Sequence, residues 1–491
     1  MFEAAEVGHK LDKTDYEREV PRLREALVNA QFDLHQRAGF AVVVLLAGVS
    51  GGGRSETANL LNSWMDPRFL TTRAFGRRND LERERPYAWR YWQALPPRGR
   101  IGILLGAWYH ELLLMRTAGR IDDGDMLRAL QDIRQHEKML ADEDVVLVKV
   151  WFHLPREEQR RRLRELMDDR RTSWRVSGGD LLQLKSYGRF REVSEQALRE
   201  TSTGEAPWTV IEATDTRYRD YTVAKLLLEA IRARIASPPR RPVRAASAEP
   251  LPGDKGRLLR ELDLTRTIER RDYQRQLAKQ QERFALLTRR KKFARRSMVI
   301  VFEGVDAAGK GSSIRRVTEA LDARQYTVVP VSAPTDEERR YPYLWRFWRQ
   351  LPGYGQITIF DRSWYGRVLV ERVEALCAPG DWMRAYREIN HFEQQLLRNG
   401  TIVVKFWLQI SKDEQLRRFK ARETSPFKRF KLTPEDWRNR KQWAAYEAAA
   451  GDMIDRTSTE IAPWTIVEAE DKYFARVKIL RTLVRTLAEA L

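Results

Sequence analysis

Short apolar runs punctuate this chain, separated by stretches in which apolar residues return every three or four positions. Met298-Val-Ile-Val-Phe302 is one such run. It reads as a buried parallel strand, because a strand covered on both faces has no polar side to show. Segments 326–331, 356–360, 402–408 and 463–467 predict further strands, and helices are predicted from near Ser312, over 364–375 and 382–398, and from Phe474 to Leu491. Strands alternating with helices imply an α/β fold: a parallel sheet with helices on both faces. The charged segments 10–38 and 257–295 carry a helical pattern ahead of each core.

The pattern occurs twice. Shifted by 256 positions, Gly48 falls on Gly304, Gly53 on Gly309, Trp108-Tyr109 on Trp364-Tyr365, Trp151 on Trp407, and Ala206-Pro207-Trp208 on Ala462-Pro463-Trp464. One constant offset over so long a span marks a duplicated domain rather than a solenoid repeat. The expected organisation is a first copy over 1–235, a semi-rigid linker rich in Pro, Ala and Arg over 236–256, and a second copy over 257–491.

Charge then narrows the partners. The 491 residues hold 89 Lys and Arg against 69 Asp and Glu, a net charge of +20. Such an excess attracts polyanions, although a solvated basic surface would produce the same count. The one cysteine, Cys377, excludes an intrachain disulfide and suits a reducing compartment. The N-terminus lacks the order of a signal peptide, and the longest apolar run, Phe40 to Val49, is too short to span a bilayer. A soluble cytoplasmic protein, without membrane association, is expected.

Candidate chemistry gathers in the second copy. Gly304-Val-Asp-Ala-Ala-Gly309-Lys310-Gly311 follows a strand and opens a helix, the context of a phosphate-binding loop. Its glycines let backbone N–H groups converge on phosphate oxygens, and Lys310 adds a full charge. Gly311 stands where a Ser or Thr commonly ligates Mg2+, and Asp306 places a carboxylate inside the loop. Both make sense if Asp306 organises metal or orients an acceptor, although Asp306 could equally serve as a turn-former. Asp361 ends an apolar strand, at the sheet edge where open α/β folds bind ligands, and is the second candidate metal ligand. The basic run through Arg417, Arg418, Lys420, Arg422, Lys428, Arg429 and Lys431 has the character of a lid that closes over phosphates. Trp345 and Arg346 lie in a segment mixing aromatics with arginines, which could stack a nucleobase or simply form core.

Together the glycine loop, Asp361-Arg362-Ser363-Trp364-Tyr365 and Ala462-Pro463-Trp464 resemble the motifs of the polyphosphate kinase 2 family, and the stretch through Lys428 and Lys431 resembles its lid. The resemblance covers the second copy and, more weakly, the first. It implies tandem phosphate-loop kinase-like domains with a basic lid, Mg2+ or Mn2+ as cofactor, and phosphoryl transfer between inorganic polyphosphate and a nucleotide. The two-copy architecture resembles the subgroup that converts AMP to ADP. On this reading Asp306, Lys310, Asp361, Arg362 and Arg422 are the catalytic set. Gly304, Gly309, Gly311, Lys428 and Lys431 bind phosphate, and no specific nucleic acid is a partner. ADP as acceptor, an ATP-dependent nucleotide kinase and a polyanion-binding scaffold are the competing readings.

The same offset puts Ser50, Arg54, Leu105 and Gly106 where the second copy has Asp306, Lys310, Asp361 and Arg362, and Thr172 and Arg175 where it has Lys428 and Lys431. Leu105 cannot ligate a cation, so the first copy is expected to fold alike without catalysing. Its remaining roles would be support, a polyphosphate track through Arg77, Arg78 and Arg160–Arg162, or homo-oligomer assembly.

Overall fold

The computed structural model describes residues 1–237, 257–427 and 429–491. Among them, residues 1–78, 90–237 and 335–345 form one compact unit, and residues 79–89, 257–334 and 346–491 form the other. Each unit holds one five-stranded parallel sheet. In the first, β1 (Ala41–Gly48), β2 (Leu70–Ala74), β3 (Ile101–Leu105), β4 (Val145–His153) and β5 (Trp208–Glu212) lie in the order β2-β3-β1-β4-β5. In the second, β6 (Ser297–Gly304), β7 (Tyr326–Pro330), β8 (Ile357–Asp361), β9 (Thr401–Gln409) and β10 (Trp464–Glu468) repeat it as β7-β8-β6-β9-β10.

The duplication reaches the hydrogen-bond register. Val42 pairs with Ile101 in the first sheet and Met298 with Ile357 in the second; Lys149 pairs with Trp208 and Lys405 with Trp464. Every one of these partners moves by the 256 positions seen in the sequence. Met298, Ile300 and Phe302 project from one face of β6 into a core with Ile314, Val317, Ile479, Leu480 and Leu483. Helices Arg270–Thr288 and Lys472–Ala490 pack together there, while helix Pro379–Arg398 packs on β9. No helix among the described residues is long and apolar enough to cross a membrane.

Two expectations need correction. The helix expected over 364–375 is broken into a 3-10 turn, Trp364–Arg367, and a short helix, Val370–Val373. Its counterpart in the first copy, Ala107–Thr117, is continuous. Gly366 replaces His110 at this point and favours helix less, and Leu369 leaves helical geometry. At the expected linker, helix Thr216–Ala236 runs one residue past the anticipated boundary, and 238–256 lie outside the described residues.

The recurring Trp-Tyr and Ala-Pro-Trp motifs serve the fold. Lys405 is fully buried, its Nζ 2.7 Å from Glu393 Oε2, 2.8 Å from the Thr457 carbonyl and 3.0 Å from the Tyr365 hydroxyl. Trp364 Nε1 and the Tyr365 hydroxyl donate to the other Glu393 oxygen, and Trp464 lies under the ammonium. Lys149, Glu137, Thr201, Tyr109, Trp108 and Trp208 build the same network in the first copy. A buried charge must be paired and its partners satisfied, which explains why these residues persist as a set in both copies.

Candidate active site

The loop after β6 is shaped by two glycines. Gly304 has φ 142°, and a Cβ there would lie 2.4 Å from the Leu408 carbonyl oxygen of the neighbouring strand. Gly309, at φ 109°, caps helix Lys310–Thr318. The orphan amides of that first turn face the ligand side of the sheet, where an anion is favoured. Arg418 clamps the loop from outside: its guanidinium donates to the carbonyls of Ala307, Ala308, Ala469 and Glu470 and pairs with Glu414. In the sequence Arg418 belonged to the basic lid run; in the structure it is buried and holds the loop's shape.

A cavity of about 510 Å3 opens at this edge. Asp306, Lys310, Asp361, Arg362 and Arg422 all line it, joined by Gly309, Gly311 and Arg417. Lys310 Nζ is held 2.8 Å from the Gly304 carbonyl, and burial, with Arg362 nearby, lowers its pKa. Burial works against the Arg362 charge too, but Asp306, Glu303 and Asp361 outweigh it and raise its pKa. These neighbours keep the arginine cationic.

The two carboxylates differ. Asp306 accepts from Arg362 Nη2 at 2.9 Å on one oxygen and from Asn439 Nδ2 at 2.8 Å on the other, so both its oxygens are engaged. Each oxygen keeps a further lone pair, so the arrangement couples Asp306 to the arginine and leaves it a candidate metal ligand. Among the described residues no hydrogen bond or ion pair engages the Asp361 carboxylate, and one of its oxygens is 3.8 Å from where a Cβ on Gly311 would stand. Such an unengaged carboxylate is the kind of hard oxygen donor that suits Mg2+, whose sites commonly take only one or two protein carboxylates. No cluster of three or more His, Cys, Asp or Glu suited to a metal exists among the described residues, so the protein alone supplies few ligands.

The other candidates divide. Trp345 is buried and stacked on Tyr341 at 3.7 Å between ring centroids, and Arg346 donates to the Ser332 carbonyl; neither lines the cavity. Lys428 lies outside the described residues, as does the side chain of Lys431. A second, narrower cavity adjoins the first, lined by Leu369, Val370, Trp443 and Tyr446 and reaching Asp306 and Arg362. Its aromatic wall had no signal in the sequence beyond ordinary helical spacing.

The sequence model of the polyphosphate kinase 2 family matches residues 10–238 and 267–491. The chain belongs to the polyphosphate kinase 2 family. It is 54% identical to the polyphosphate:AMP phosphotransferase of Pseudomonas aeruginosa over 98% of both chains, and 38% identical to that of Acinetobacter johnsonii over 94% of both. The GDP-polyphosphate phosphotransferase of Mycobacterium tuberculosis is 39% identical over 44% of this chain and 73% of its own. A crystal structure from Pseudomonas aeruginosa described as a polyphosphate kinase 2 superposes with a TM-score of 0.91 at 51% identity, covering 100% of this chain and 99% of that one.

Within this polyphosphate kinase 2 chain the corresponding loop of the first copy is engaged by different side chains. Ser50 donates to Asp180 at 2.6 Å and its amide to Gln183. A Cβ on Gly53 would fall 1.7 Å from the Arg219 guanidinium, which presses on the loop where the second copy has Ala475. His110, set where the second copy has Gly366, is held near pKa 4 by burial and by Arg54. Arg160, Arg161 and Arg162 pair with glutamates of their own helix. Leu105→Asp is therefore expected to leave turnover within about twofold of wild type in a steady-state assay.

Proposed function

We propose that the second copy transfers the terminal phosphoryl group of inorganic polyphosphate to AMP, giving ADP, and that the first copy does not catalyse. The observation that carries this reading is that Asp306 and Arg362 line both cavities. One cavity is cationic and suits a chain of phosphates. The other is aromatic and suits a nucleoside, better than the buried Trp345 does. Donor and acceptor phosphates would meet at the shared pair.

The acceptor phosphate has a second pKa of about 6 and is already a nucleophilic dianion at neutral pH, so little base catalysis is required. The obstacle is repulsion between anions. Lys310 and Arg362 would offset it and stabilise charge spread over the transferred group, with Arg422 closing from the lid side. Asp306 would aim Arg362. Asp361 would seat Mg2+, or Mn2+ in its place, which would supply positive charge against the phosphates. The net charge of +20 suits a polyanionic donor, and the single cysteine suits a reducing cytoplasm.

Purified protein given AMP, polyphosphate and Mg2+ without ATP is expected to form ADP, read by chromatography. A parallel screen with ADP, GMP and GDP sets the acceptor. Turnover with ATP as the only effective donor would overturn the reading.

A further inference from the structure

The two copies differ at one further pair of positions next to the site. Glu303, at the end of β6, is buried and accepts from Ser363 Oγ at 2.8 Å. The same Ser363 oxygen accepts from the Tyr365 amide at 3.3 Å. Between Asp361 and Ser363 the chain passes through Arg362 at φ 65°, a left-handed conformation that a residue with a Cβ adopts only at a cost. Its amide donates to the Phe302 carbonyl at 3.0 Å, so the turn is pinned to β6 at successive residues. In the first copy Gly106, at φ 72°, holds the Arg362 position, where glycine adopts the same angle freely. There Ala47 and Ala107 stand in place of Glu303 and Ser363. The buried Lys405 network survives in both copies, but this pair exists only beside the complete site.

We infer that Glu303 and Ser363 form a clamp of positioning residues that holds the Asp361–Arg362 turn in its left-handed form, and so sets where the Asp361 carboxylate and the Arg362 guanidinium point. A strained conformation persists only where the surroundings over-determine it, and the clamp supplies that constraint. Burial raises the Glu303 pKa, with Lys310 and the Ser363 hydroxyl opposing it. The catalytic part of this inference rests on the phosphotransfer reading above; the geometric part does not.

Ser363→Ala, Ser363→Thr, Glu303→Gln and the double variant Ser363→Ala/Glu303→Gln separate the two parts. Ser363→Ala is expected to lower kcat roughly 10- to 100-fold with both KM values within about twofold, because misplacement of catalytic groups by a fraction of an ångström to one ångström has effects of this order. Ser363→Thr restores the hydroxyl and is expected to recover kcat to within about threefold, and the double variant should lose no more than Ser363→Ala alone, as expected for residues acting as one unit. Hydrogen–deuterium exchange over residues 361–366 reads the clamp without any turnover: Ser363→Ala should exchange faster there and Ser363→Thr should match wild type. Unchanged exchange together with a kcat within twofold of wild type would overturn the clamp. So would additive losses in the double variant. Faster exchange in Ser363→Ala from a wild type that makes no ADP would keep the clamp and sink the functional reading instead.

Discussion

Asp361→Asn is expected to stop turnover while polyphosphate binding persists. The substitution preserves shape and removes one charge at the end of β8, where the carboxylate has no partner of its own among the described residues. A neutral amide oxygen holds a hard cation less tightly than a carboxylate, so the positive charge that Asp361 would seat against the phosphates would be weakened or lost. Loss of one such stabilising element costs on the order of a thousandfold in kcat. Lys310, Arg362, Arg417, Arg422 and the loop amides remain to hold the polyanion. Filter binding of labelled polyphosphate alongside ADP formation tests both halves, and a chelator added to wild type should reproduce the loss until Mg2+ is restored. Turnover of Asp361→Asn within tenfold of wild type would place the metal elsewhere.

The second large effect is on stability and lies away from the cavity. Glu393→Gln keeps the side-chain shape in the second unit's core but leaves the fully buried Lys405 ammonium without a counter-charge. Breaking a buried pair on one side costs about 3–5 kcal/mol. For a unit of this size that is a fall of roughly 6 to 20 °C in melting temperature. Burial already lowers the Lys405 pKa, with Glu393 opposing it. Without Glu393 the folded state holds the proton less tightly still, while the unfolded chain keeps it up to its ordinary value near 10.5. The unfolded state then binds more protons, so the variant's stability should rise with pH from neutrality toward 10. Calorimetry at pH 7 and 9.5 reads the shift, and Glu393→Gln/Lys405→Met should recover part of the loss because an apolar replacement of the whole pair leaves no buried charge. A melting temperature within about two degrees of wild type would show the pair to be dispensable.

Much of this was legible in the amino-acid order, for identifiable reasons. A parallel strand covered on both faces leaves an unbroken apolar run, so the strands could be placed to within a residue or two. The glycine loop, Lys310 and Asp361 carry their meaning in sequence position, since the end of a strand and the start of a helix are themselves the binding edge. Side-chain direction is less legible. Arg418 sits in a run of cations and reads as lid, yet it turns inward to four carbonyls. Glu303 looks like the frayed end of a strand, and only the approach of β8 supplies its serine. Trp364 and Tyr365 recur in both copies and so read as fold-bearing, but that their polar atoms meet on Glu393 in the core is visible only in the structure. Trp345 could be read as a nucleobase platform or as core, because aromatic-arginine alternation is common to stacking sites and packed cores alike.

On the proposal that the first copy does not catalyse, the glycine at 106 makes its silence hard to reverse by one change. An arginine restored there would set its Cβ 3.4 Å from the Phe75 carbonyl in a backbone geometry that only glycine adopts cheaply. With alanines at 47 and 107 nothing would brace it, and Arg219 would still press on the loop. Grafting the second copy's turn onto the first would therefore take the Arg, the Glu and the Ser together rather than any one of them.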